Sequence, residues 1–199
     1  MNFLKKLFLL FFNPTKFYKS VGEEKSYIHI FLFYAVFAII IEVVVGIPWD
    51  IFRYADLMFI SQFILSMGLI FSWIKVLVFP FVYALLIYFI IIRLGGKSDY
   101  LNTYKVAAYA GVIGLVYSLI IHFVANGMQL SDFTFVWATL PVYLILLVMY
   151  IQLFYSMITG LSMYHKIKKL PILIVLIVLE IVFYLMGYLA NFFGFVNIF

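Results

Sequence analysis

"LMFISQFILSMGLIFSWIKVLVFPFVYALLIYFIIIR", residues 57–93, decides how often this chain crosses a membrane. As one helix its 37 residues would reach about 55 Å. A crossing of about 30 Å of hydrocarbon needs only roughly 20. Two readings are open. Either residues 57–72 lie in the interface or re-enter and 73–93 cross, or both parts cross with Lys75 at the turn. Basic residues separate them, because cytoplasmic loops collect Lys and Arg. With five spans and the N-terminus inside, Lys5, Lys6, Lys16, Lys19, Lys25, Arg93, Lys97, Lys105, Lys166, Lys168 and Lys169 share the cytoplasmic side, 11 of the 13 basic residues. Arg53 and Lys75 are left outside. With six spans the division becomes 6 inside and 7 outside. Five spans are predicted, with Trp73 anchoring and Lys75 snorkelling at the outer boundary and Pro80 bending the second span.

The rest of the sequence agrees with a membrane reading. Hydrophobic residues make up 68% of the 199, mean hydropathy is +1.20 and 11% are charged, against about 25% in soluble domains. A soluble core of this length cannot hide so much apolar surface. The predicted fold is all-α, a polytopic helical bundle of one domain over residues 1–199. Its spans fall near 27–47, 73–93, 104–125, 135–160 and 170–192. Pro171 sits near the first position of the last span, where its missing N–H costs little. There is no cysteine, so thiolate catalysis, thiolate metal sites and disulfides are excluded.

"MNFLKKLFLLFFNPTKFYKS", residues 1–20, imitates a signal peptide, but its apolar run is short and no small-residue cleavage site follows. Phe3, Leu4, Leu7, Phe8, Phe11 and Phe12 fall at helical spacing. The expected element is an interfacial helix, with Lys5, Lys6, Lys16 and Lys19 reaching toward anionic headgroups.

"RLGGKSDYLNTYKVAAYA", residues 93–110, ends in a different kind of signal. Gly-Gly-Lys-Ser resembles the close of a phosphate-binding loop, but the glycine that motif needs five residues earlier is Ile91, and no strand precedes it. Read as structure, Gly95 and Gly96 end a helix in the left-handed region, Ser98 or Asp99 caps the next, and Tyr100 and Tyr104 join the aromatic belt. Ala107 and Gly111, then Ala110, Gly114 and Ser118, recur every four residues. Small residues at that spacing let helix backbones approach closely in lipid. They point to a central packing helix, with a dimerisation face as the alternative.

"LFFNPTKFYKSV", "LLIYFIIIRLGGKSDYLNTYKVAAYA" and "YSMITGLSMYHKIKKLPILIVLIVLEIV" together resemble the Yip-domain family, five-span membrane proteins named for interaction with Ypt/Rab-type GTPases. The Gly-Gly-Lys turn into an Ala-Tyr-Ala helix carries most of the likeness. Three features depart from it. The proline that often follows the tyrosine of that helix is absent, and so are the acidic-aromatic signature and the long polar N-terminal region of the eukaryotic vesicle-traffic members. These departures weigh against a Rab-type GTPase partner. The chain looks like the short prokaryotic-style members, which implies a place in the cytoplasmic membrane and a fold with little defined activity.

Ionisable groups at membrane depth are costly enough to be functional candidates. Glu180 lies near the midplane of the last span. Glu42 lies in the outer third of the first, and Lys75 and His122 lie nearer the outer surface. A transporter would use Glu180 and Glu42 as a cation or proton relay. The structural alternative bonds Glu180 to a neighbouring Tyr, Ser or Gln152 and pairs Glu42 with Lys75 or His122. Enzyme signatures are missing: there is no His-Glu-x-x-His helix and no Gly-x-Ser-x-Gly elbow. Glu23-Glu24 resembles the paired glutamates of membrane CAAX-type proteases without their arginine. A non-enzymatic organiser or adaptor is expected, with a solute or ion transporter as the alternative. The expected partners are the lipid bilayer and other membrane proteins or further copies of the chain; no nucleic acid and no cofactor is expected.

Overall fold

The computed structural model describes residues 3–41, 43–44, 59–129 and 135–192. Among these the chain is all helical, with no strand. Seven helices follow in order: α1 Phe3–Phe12, α2 Pro14–Ser20, α3 Tyr27–Ile41, α4 Phe59–Arg93, α5 Tyr100–Gln129, α6 Phe135–His165 and α7 Lys169–Phe192. Four segments are long and apolar enough to cross a membrane: Ile74–Arg93, Tyr100–Val124, Leu140–His165 and Lys169–Met186. Tyr27–Ile41 is as apolar but is described over only 15 residues, and the rest of the expected span to 47 falls mostly outside the described residues. These features make the chain an integral, multi-pass membrane protein.

The expected crossing at 73–93 coincides with the apolar segment Ile74–Arg93, but the break expected ahead of it is missing. From Phe59 onward the chain forms a single unbroken helix of 35 residues, about 52 Å long. There is neither a turn at Lys75 nor a separate segment ahead of Trp73. The physical reason is local: Trp73, Ile74 and Val76 flank Lys75 without a turn-forming residue, and Gly68 alone costs a helix only about 1 kcal/mol. Pro80 is accommodated inside α4. Its missing N–H would have bonded Val76 O. The Tyr34 hydroxyl of α3 donates to that carbonyl instead, at 3.1 Å.

α5 is the centre of the bundle, packed by α1, α3, α4 and α6. Its stretch from Thr103 to Ala110 is buried on every side, with Tyr104, Val106, Ala108 and Tyr109 fully enclosed. Such all-round burial explains why no apolar stripe stands out in its sequence. Gly111 accepts the Tyr34 ring: a Cβ there would lie 3.0 Å from the ring edge. Ala107 and Ala110 are buried, Gly114 is half-buried against Leu153, and Ser118 is exposed. α6 runs five residues past Gly160, which is buried rather than terminal. A Cβ on Gly160 would come within 2.7 Å of Val106 and 2.9 Å of the Tyr18 ring.

Candidate functional site

Three connections meet at one end of the bundle. The first is the turn 94–99. Gly95, at φ +89°, lets the Gly96 N–H donate to Ile91 O at 2.9 Å and its own N–H to Ile92 O at 3.0 Å, the paired bonds that close a helix C-terminus. Asp99 then caps α5 by accepting from the Asn102 N–H at 3.1 Å, while the Asn102 amide donates to Ser98 at 2.8 Å.

The second is the turn after α6. Lys166 holds a left-handed φ of +57°, which costs a non-glycine residue about 1–2 kcal/mol. Flanking bonds offset that strain: Ser162 donates to Ile167 O at 2.7 Å, and the Lys97 N–H donates to His165 O at 3.3 Å. The latter ties the two turns together. The buried His165 ring shares a 2.8 Å hydrogen bond with Thr103 through Nε2, and its buried Nδ1 has no hydrogen-bond partner among the described residues. A Cβ on Gly96 would lie 3.0 Å from that Nδ1, so the second glycine makes room for the imidazole.

The third is the N-terminal segment, which is folded into the bundle. Asn13 caps α2 through the Lys16 N–H at 3.0 Å, with Pro14 beginning the helix. Leu10, Phe17 and Tyr18 are fully buried. Gln152 of α6 donates to Phe11 O in the last turn of α1 and accepts from Tyr117, each at 2.7 Å. Tyr18 bonds Ser156 at 3.0 Å, and Tyr164 donates to Tyr18 O at 2.7 Å. Burial pushes the Tyr18 phenol up, only partly opposed by its bond to Ser156.

Two lysines finish the assembly. Lys105, 1% exposed, donates to Val21 O at 3.0 Å and Gly22 O at 3.1 Å, and lies over the Tyr164 ring. Counted at the sequence level only as one of the cytoplasmic basic residues, it is an internal pin that satisfies the carbonyls after α2. Lys6 pairs with Glu24 at 3.2 Å and lies 5.8 Å from the centres of the Phe33 and Tyr109 rings. Glu24 also accepts from the Tyr109 hydroxyl.

The remaining sequence candidates are dispersed. Lys5, Lys16, Lys19 and Lys75 are exposed. Glu180 accepts from Tyr83 of α4 at 3.2 Å, beside Phe79 and Phe183. His122 is half-buried, its ring edge-on to Phe123. Glu42 lies outside the described residues, and with it the expected pairing to Lys75 or His122. Sequence reasoning missed Tyr18, Tyr109, Glu24, Gly160 and the Thr103–His165 bond, all of which join residues 62 or more positions apart or close on a neighbouring helix. The single legible signal was the acid pair Glu23-Glu24, of which only Glu24 turns inward.

A family model described as the Yip1 domain matches residues 8–190. The chain belongs to that family, one of non-catalytic membrane proteins. No curated protein and no solved structure matches it.

Proposed function

We propose that this Yip1-domain chain is a membrane organiser. In this reading residues 1–199 form one unit crossing the bilayer five times, with the N-terminus cytoplasmic and the C-terminus outside. The basic end engages anionic headgroups or protein partners. The observation that carries the reading is the outer surface of the docked N-terminal segment. Leu4, Phe8 and Phe12 are 61–73% exposed on α1, with exposed Lys5, Lys16 and Lys19 alongside. An apolar stripe beside lysines suits the boundary between headgroups and acyl chains. The turns beside it add exposed Lys25, Arg93, Lys97, Lys166, Lys168 and Lys169, the same side that positive-inside logic makes cytoplasmic.

The test is the shape of reconstituted vesicles. Full-length protein in vesicles containing phosphatidylglycerol should narrow their diameter distribution, and Leu4, Phe8 and Phe12 all changed to Ser should abolish the effect. Diameters identical to protein-free vesicles would count against an organiser. The transport alternative uses Glu180 and Glu42, and the bond of Glu180 to Tyr83 favours a packing role for the former. Proton-coupled flux in liposomes that disappears in a folded Glu180→Gln variant would reverse that preference.

A further inference from the structure

The Lys6 ammonium occupies a cage whose walls do not belong to its own helix. Phe33 comes from α3, Tyr109 from α5 and Glu24 from the connection between α2 and α3. Only the occupant comes from α1. The carboxylate is oriented without the lysine, since the Tyr109 hydroxyl donates to Glu24 Oε2. Tyr109 is in turn wedged edge-on between Phe17 and Phe33. Both Glu24 oxygens face Lys6, at 3.2 and 3.5 Å.

Two aromatic faces and a pre-oriented carboxylate are the recognition chemistry of an ammonium ion. A quaternary ammonium has no N–H to donate, so a carboxylate within hydrogen-bond reach favours a cation with N–H bonds to give. The cage is not sealed: the Lys6 and Glu24 side chains are 20% and 17% exposed. Lysine also carries a flexible four-carbon stem, so the ammonium can swing out while Leu10 and the Gln152 bond keep α1 in place.

We propose that Glu24, Tyr109 and Phe33 form a binding site for a primary ammonium group, which Lys6 fills from within the chain and an external primary amine fills in competition with it. The ligand is a lipid headgroup such as phosphatidylethanolamine or a free alkylamine. The inference is independent of membrane shaping, because it is read by ligand binding rather than vesicle form.

Thermal unfolding of the full-length chain in nanodiscs tests it. In phosphatidylcholine, Lys6→Ala should lower Tm by about 2–4 °C. Millimolar ethylammonium should restore at least half of that loss, and tetramethylammonium should not. Replacing half of the phosphatidylcholine with phosphatidylethanolamine forms the lipid arm. Recovery there alone assigns the site to a headgroup, and recovery with ethylammonium alone assigns it to a free amine. No recovery in either arm, or equal recovery in Lys6→Ala/Glu24→Gln, overturns the proposal. Where Lys6→Ala does not fold, Lys6→Ser takes its place. The wild-type chain supplies a further measurement, by native mass spectrometry after equimolar exposure to the two lipids. Retention of phosphatidylethanolamine over phosphatidylcholine that Glu24→Gln abolishes supports a headgroup ligand, and equal retention rejects one.

Discussion

The two halves of α5 solve different problems. From Thr103 to Ala110 the helix is enclosed by α1, α3, α4 and α6 and touched by polar pins from three directions. Between Tyr117 and Phe123 the same helix has a mixed surface, with Ser118, Ile120 and Phe123 exposed. Lipid tails are as apolar as leucine, so exposed hydrocarbon has no hydrophobic drive to find a helix partner. Specific packing is therefore concentrated where small residues and satisfied polar groups can supply it. Helix position is fixed at the basic end and merely tolerated along the other half.

That contrast can be broken most sharply at Gly160. Valine there must displace both Val106 and the Tyr18 ring, so a loss of about 3 kcal/mol or more is expected, read as a fall in the denaturant midpoint of the detergent-solubilised chain. Lys105→Met comes next. It keeps the stem but strands two carbonyls, at a cost of about 1.5–3 kcal/mol. Proteolysis between α2 and α3 should rise with it; an unchanged cleavage pattern would show that α2 does not depend on the pin.

Tyr34→Phe removes the donor to Val76 O and should cost about 1 kcal/mol. In a Pro80→Ala background that loss should shrink, because the restored N–H can take the carbonyl. Additive losses in the double variant would refute the repair of the proline gap. Ser118→Ala, on the exposed half of α5, should stay within about 0.5 kcal/mol of wild type. A larger change there would erase the difference between the halves.

The sequence spoke clearly where physics is local. Hydropathy located the long helices, the Gly95-Gly96 pair marked a helix end, and Asp99 was one of two named caps. The expectation of a break within residues 57–93 came from treating membrane thickness as a limit on helix length. Nothing requires a helix to stop at the headgroups when no breaker is present. The candidate site was harder to see because its chemistry is assembled across distance. Lys105 counted as one cytoplasmic basic residue among several, and only the arrival of Val21 and Gly22 carbonyls reveals why an ammonium is enclosed. Gly160 stood last in the expected span 135–160, and only Val106 and Tyr18 show that it is a close contact.

The Tyr18–Ser156 bond spans 138 residues of chain. At the ribosome's pace of about 5–20 residues per second, roughly 7–28 s separate the synthesis of its two ends. Throughout that interval the N-terminal helices exist while the groove meant to receive them does not. If, as proposed, their exposed Leu4, Phe8 and Phe12 rest on the bilayer, they have somewhere to wait until α6 has been made. Assembly thus closes on its oldest part last, and a ribosome stalled before residue 156 would leave that part still unclasped.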